Sequence, residues 1–222
     1  SQHGGRYGHI KNFFYLNFEV DISDFYISWG KNKHKKIKNL GITRPYKKLQ
    51  DINSSKLKNK ILFIMITKSR YARGIDSELN LKKFYDYYSK VCPNFYSNLS
   101  FNLKSKLIYR SGNKNWWNEK EMLEKKCKLS SIDFNRHKTD LFSATRSSRI
   151  TVCSYLSTTF LELLAANKPV ILFTPFSHNT YNSETLRAFD KMGKSDIFFN
   201  ELKIPKPKYN LNINSASHGA MT

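Results

Sequence analysis

"RITVCSYLSTTFLELLAANKPVILF", Arg149 to Phe173, decides the fold. Ile150 to Cys153 is an apolar run of strand length. Three hydroxyl residues follow, Ser157, Thr158 and Thr159. Phe160 to Ala166 then reads as a short apolar helix. Pro169 closes it, because proline cannot continue a helix and biases the residue before it toward extended backbone. Val170 to Phe173 is a second apolar run. Strands that are apolar on both faces belong inside a sheet covered on both sides, so strand, helix and strand here predict a parallel crossover unit.

The alternation extends outward in both directions. "ILFIMIT" (61–67) is another continuous apolar run and reads as a central parallel strand. Residues 79–103 carry Leu81, Phe84, Tyr85, Tyr88 and Val91 near helical spacing, with an interruption near Pro93. "KLIYR" (106–110) reads as a strand, "WWNEKEMLEKKC" (116–127) as a helix and "TDLFSATRSS" (139–148) as a short helix. Ser183 to Met192 reads as a helix with Ser183 as its N-cap, and "DIFF" (196–199) as a last strand. The predicted class is α/β, a Rossmann-like parallel sheet with helices on both faces.

Three units are expected. Residues 1–57 hold a Gly-rich loop, a mixed aromatic segment, the strand "DFYISWG" (24–30), a basic turn into a short strand ending at Gly41, and a linker. Residues 58–200 form the Rossmann-like unit. Residues 201–222, with "KIPKPK", form a flexible tail. The chain opens on Ser1 with no charged-then-apolar leader, which reads as part of a longer protein without a signal peptide.

Of the 222 residues, 40% are hydrophobic, enough for a core, yet the longest apolar runs are strand-sized and short of a membrane span. Cys92, Cys127 and Cys153 match no zinc or disulfide spacing and point to a reducing, cytoplasmic compartment. The net charge of +21 has two readings. One is a polyanionic partner, nucleic acid or an anionic membrane. The other is the codon usage of an AT-rich genome, since Lys outnumbers Arg 29 to 9 and Asn, Ile, Phe and Tyr are abundant. The lysines cluster only in "KNKHKKIK" (31–38), and no RNA-binding aromatic signature is present.

Four stretches are candidate sites. Ser157, Thr158 and Thr159 precede a helix at the carboxyl edge of a strand, where unpaired N–H groups and the helix dipole favour phosphate. They also fit a plain cap, with Thr159 and Glu162 as a T-x-x-E capping box. In "SQHGGRYGHI", Gly4 and Gly5 allow close backbone approach and His3 could serve as a base near neutral pH. "TKSRYARG" (67–74) places Lys68, Ser69, Arg70 and Arg73 after a central strand, and Arg suits phosphate. Glu184 and Arg187, i and i+3 on a first helical turn, pair with each other or reach a ribose or sugar hydroxyl. No G-x-G-x-x-G or P-loop string occurs.

Taken together, "QHGG…Y", "ISDFYISWG", "IKNLG", "ILFIMITKSRY", "LIYRSGNKNWWNEKEM", "STTFLELLAANKPVILF" and "ETLRAFDKMGKSDIFF" resemble the second half of a GT-B-type transferase. They are similar to an uncharacterised family of surface-carbohydrate transferases. That family is itself similar to capsule glycosyltransferases and teichoic-acid type polyol-phosphate polymerases. The resemblance spans about residues 2–200, and its most specific part is the Ser-Thr-Thr-x-x-x-Glu-x-x-x-x-Asn-x-Pro string. Arg6 stands where that family has a third glycine, and "RSGNKNWWNE" lacks its proline and aspartate.

The resemblance implies two Rossmann-like domains facing a cleft, with the acceptor-binding half largely outside this chain, so the chain alone is expected to be inactive. It implies a bacterial transferase moving a sugar or polyol phosphate from a nucleotide-activated donor to a surface-polysaccharide acceptor. Ser157, Thr158, Thr159, Arg70, Gly4 and Gly5 would hold the donor phosphates. Glu184 and Arg187 would reach the ribose or sugar, and His3 would be the catalytic base or a phosphate contact. No cofactor and no metal are expected, as no D-x-D pair occurs. The expected partners are the nucleotide donor, a glycan or lipid-linked acceptor and an anionic membrane at its inner face, with no specific nucleic acid. A sugar-nucleotide epimerase of the same fold and a basic nucleic-acid-binding module are the alternatives.

Overall fold

The computed structural model describes residues 1, 2, 4, 7–11, 13–30, 32–41, 58–68, 81–111, 117–127, 141–174, 181–195 and 197–200. In chain order they form α1 (Phe14–Asp21), β1 (Tyr26–Ser28), β2 (Ile37–Asn39), β3 (Lys58–Ile64), α2 (Leu81–Asp86), a π-helical turn (Tyr87–Val91), α3 (Cys92–Ser97) and α4 (Phe101–Lys104). Then come β4 (Leu107–Arg110), α5 (Glu119–Cys127), α6 (Leu141–Arg146), β5 (Ser148–Cys153), α7 (Thr158–Ala165), β6 (Val170–Thr174), α8 (Ser183–Lys194) and β7 (Phe198–Asn200).

The main sheet has five parallel strands in the order β4-β3-β5-β6-β7. This is an α/β, Rossmann-like fold. The apolar run of β3 stands where its composition requires, between β4 (Phe63 opposite Tyr109) and β5 (Phe63 opposite Val152). Ile61 to Ile66 are all buried. Phe63 is fully buried and meets the rings of Phe95 at 4.9 Å and Tyr109 at 5.3 Å. Removing one such ring from water contributes about 1.5–3 kcal/mol.

The order also fixes where a ligand can sit. After β3 the chain moves outward to β4, then returns past β3 to β5. Right-handed crossovers in opposite directions lay their helices on opposite faces, and the carboxyl ends of β3 and β5 become the switch point at which such sheets bind ligands.

A two-stranded parallel sheet, β1 with β2, lies in the N-terminal part. With α1 it surrounds a second apolar cluster of Tyr7, Phe13, Val20, Tyr26 and Ile37. Tyr7 donates to Glu19 Oε1 at 2.7 Å, and burial beside that carboxylate pushes the Tyr7 and Tyr26 phenols well above their ordinary range. No helix among the described residues is long and apolar enough to cross a membrane.

The mixed aromatic segment contains α1, which follows the buried cap residue Phe13 and carries Phe14 and Phe18 stacked on its exposed side. Two local expectations are corrected. The 79–103 helix does not keep one phase. Cys92 N–H donates to Tyr87 O, five residues back, and Pro93, which has no N–H, follows at the second position of α3. The wider turn brings Phe84, Tyr87, Tyr88 and Cys92 inside, and leaves Leu81 and Tyr85 exposed. The caps of α7 and α8 are each one or two residues earlier than the sequence suggested, with consequences described next. The linker at 42–57, the "SRYARG" part of the basic loop and the 201–222 tail lie outside the described residues.

Candidate functional site

α7 follows β5 and α8 follows β6, so both helices begin at the carboxyl edge of the sheet. Their N-termini carry N–H groups that have no acceptor inside the helix and a partial positive charge of about +0.5.

At α7 the N-cap is Ser157, with extended backbone and a side chain that accepts from Phe160 N–H at 3.3 Å. Thr159 is therefore not the cap, and Thr159 with Glu162 is not a capping box. Thr159 occupies the second helical position, and Glu162 is buried on the inner side of the helix. The register follows burial: starting at Thr158 sends Phe160 and Leu163 into the core, at 0% and 1% exposure. Ser157 is buried, while Thr158 and Thr159 remain partly open. The hydroxyl cluster thus stands at the carboxyl edge after β5, with Ser157 capping the helix and Thr158 and Thr159 partly exposed.

At α8 the cap is Asn182, not Ser183. Asn182 Oδ1 accepts from Thr185 N–H at 2.9 Å. Its Nδ2 donates to Gly8 O at 2.6 Å and its backbone N–H to His9 O at 2.9 Å. Ile10 and Tyr181 form an antiparallel bridge beside them. Gly8 has φ of +78°, a left-handed conformation that side chains disfavour, and it turns the chain onto the helix end.

The N-terminal segment therefore crosses the carboxyl edge. At one end Gln2 is clipped to β1: its N–H donates to Ile27 O at 2.8 Å, and Trp29 N–H donates to its Oε1 at 2.9 Å. In the middle Gly4 lies over α7, close enough that a Cβ on it would stand 3.9 Å from Thr158 Oγ1. At the other end Gly8 and His9 are held by α8.

Of the expected site residues, the structure brings Gly4 to Thr158, and Ser157 and Thr159 flank that contact. Glu184 lies on the first turn of α8, exposed, and Arg187 is exposed one turn further along. No ion pair joins Glu184 to Arg187, which removes the simple pairing explanation for them. His3, Gly5, Arg6 and Arg70 lie outside the described residues.

Sequence reasoning missed Gly8, His9 and Asn182. His9 is partly buried, and its Nδ1 is 3.4 Å from Thr185 Oγ1. Burial holds its pKa below the ordinary 6.5, so the ring is neutral at pH 7. The available signal was weak: a second Gly next to a His, Gly8–His9, a few residues after His3–Gly4–Gly5, and an Asn immediately before the Ser taken as a cap.

Chemically, the edge offers helix-end N–H groups, two threonine hydroxyls and a Gly-lined backbone, a combination suited to an oxyanion. Residues 1–203 match the profile described as LIC12162 family transferase. The chain belongs to that family and is a transferase. No curated protein matches it.

Proposed function

We propose that this transferase moves a sugar or polyol phosphate from a nucleotide-activated donor to a surface-polysaccharide acceptor, glycan or lipid-linked. In this reading residues 58–200 are the donor-binding half of a GT-B architecture, and residues 1–57 end the other half. The observation that carries it is the placing of Gly4 against Thr158 at the start of α7, on the carboxyl edge of the sheet. Donor diphosphates are recognised by such helix ends, and a backbone strand passing in front closes a cleft around them.

The donor's diphosphate would accept from the Thr158 and Thr159 N–H groups and hydroxyls, with Ser157 shaping the turn and Gly4, Gly5 and Arg70 completing the cradle. Glu184 and Arg187 would face the ribose or sugar. The acceptor hydroxyl attacks the anomeric carbon, or the phosphorus of a polyol-phosphate donor. Its bond forms as the bond to the nucleotide's phosphate oxygen breaks. The nucleotide leaves with the electron pair, and the acceptor proton passes to a base, for which His3 is proposed. Preorganised donors at the leaving phosphate supply the stabilisation that a metal would otherwise provide. No metal or cofactor is part of this scheme. The charge of +21 suits an anionic donor and a cytoplasmic enzyme working against an anionic inner membrane face.

A thermal-shift panel of UDP, CDP, GDP and ADP with a duplex-DNA control tests the reading. At least one nucleotide should raise the melting temperature. If DNA does so and no nucleotide does, the basic nucleic-acid-binding alternative replaces it.

A further inference from the structure

We propose that His9 is a positioning residue of the donor site: as a neutral imidazole it fastens the edge-crossing segment to the start of α8, and so sets the distance between Gly4 and Thr158. The proposal deepens the donor-site reading and rests on it.

The geometry is specific. His9 is anchored through its backbone O, which accepts from Asn182 N–H at 2.9 Å, and through Nδ1, 3.4 Å from the buried Thr185 hydroxyl. Gly8 O takes a further bond from Asn182 Nδ2 at 2.6 Å. Four residues upstream of Gly8 the same segment lies against Thr158. The fastening therefore acts on the start of α7 through a short tether, about 3.3–3.6 Å per residue at full stretch.

The imidazole faces the positive end of α8, where a cation is unwelcome. Among the described residues, Lys11 on its own segment and Glu184 and Arg187 on α8 are exposed, and burial is the cause of the lowered pKa. The sign follows. Docked, the ring titrates below 6.5; undocked, it returns to about 6.5. Acidification through that range favours the undocked segment, and above it docking is independent of pH.

Hydrogen exchange at the Asn182 amide, which donates to His9 O, reads docking without any nucleotide. On the full chain, after correction for intrinsic rates, its protection should fall between pH 7.5 and pH 5. The fall should be on the order of tenfold for each unit by which docking lowers the imidazole. His9→Asn keeps a neutral amide near the Nδ1 position and cannot titrate, so it should keep protection and lose the pH dependence. Affinity for the nucleotide found by thermal shift should track protection in the wild type and lose that component in His9→Asn, where only the diphosphate's own titration remains. Protection that is flat from pH 5 to 7.5 in the wild type overturns the proposal, and it needs no variant to fold. If protection responds to pH while no nucleotide binds at any pH, the donor-site reading fails and the fastening stands. If a nucleotide binds while protection stays flat, the reverse holds.

Discussion

α7 and α8 start on the same edge of the sheet with caps of the same kind, yet they face different things. Each begins with a polar side chain accepting an N–H three residues on, Ser157 from Phe160 and Asn182 from Thr185. Asn182 also holds Gly8 and His9, so the end of α8 is closed by the protein's own backbone. Ser157 does nothing of that kind in the described structure. The start of α7 has two partly exposed threonines, with Gly4 beside Thr158. Identical helix physics thus yields a joint at the start of α8 and, in the reading proposed above, an anion site at the start of α7, the difference lying in where the N-terminal segment is held.

The sharpest way to break the contrast is to remove each cap. Asn182→Ala should cost about 1.5–3 kcal/mol in urea unfolding, combining a lost cap of about 0.5–2 kcal/mol with a lost bond to Gly8 of about 1 kcal/mol. Ser157→Ala should cost only the cap, about 1 kcal/mol. Equal losses would show that Asn182 does no more than end a helix. Gly8→Ala comes between them. Its φ of +78° costs a side chain about 1–2 kcal/mol, and the variant should lose Asn182 amide protection while the main sheet keeps its own. Preserved protection would mean that the turn at Gly8 is not what delivers the segment.

Much of this fold was legible because it depends on long apolar runs. β3, β5 and β6 could be read as buried parallel strands from Ile61–Ile66, Ile150–Cys153 and Val170–Phe173 alone. Registers of one residue were not. Ser157, Thr158 and Thr159 can each cap, and Asn182 competes with Ser183; burial of Phe160 and Phe189 selects among them, and burial is a tertiary quantity. The π turn before Pro93 changes phase by one residue, which a fixed helical period cannot express, so Tyr87 was overlooked and Tyr85 wrongly taken inside. In the site, the hydroxyl cluster and the Gly-rich segment were each visible locally. Their meeting at Thr158 was supported only by resemblance, because 154 positions separate them. His9 was invisible for the same reason: its meaning lies in Thr185, across 176 positions.

The smallest expected effect on stability belongs to Thr158→Ala with Thr159→Ala. These side chains are partly exposed and neither caps the helix, so unfolding should shift by no more than about 0.5 kcal/mol per residue. That makes the pair the most direct test of the central claim, that the start of α7 holds the donor's diphosphate. Calorimetric titration of the wild type and the double variant with the stabilising nucleoside diphosphate should show affinity falling at least about tenfold, about 1.4 kcal/mol, well beyond what each hydroxyl contributes to folding. Unchanged affinity in a double variant that remains folded would place the nucleotide elsewhere and leave the three hydroxyls as a helix start and nothing more.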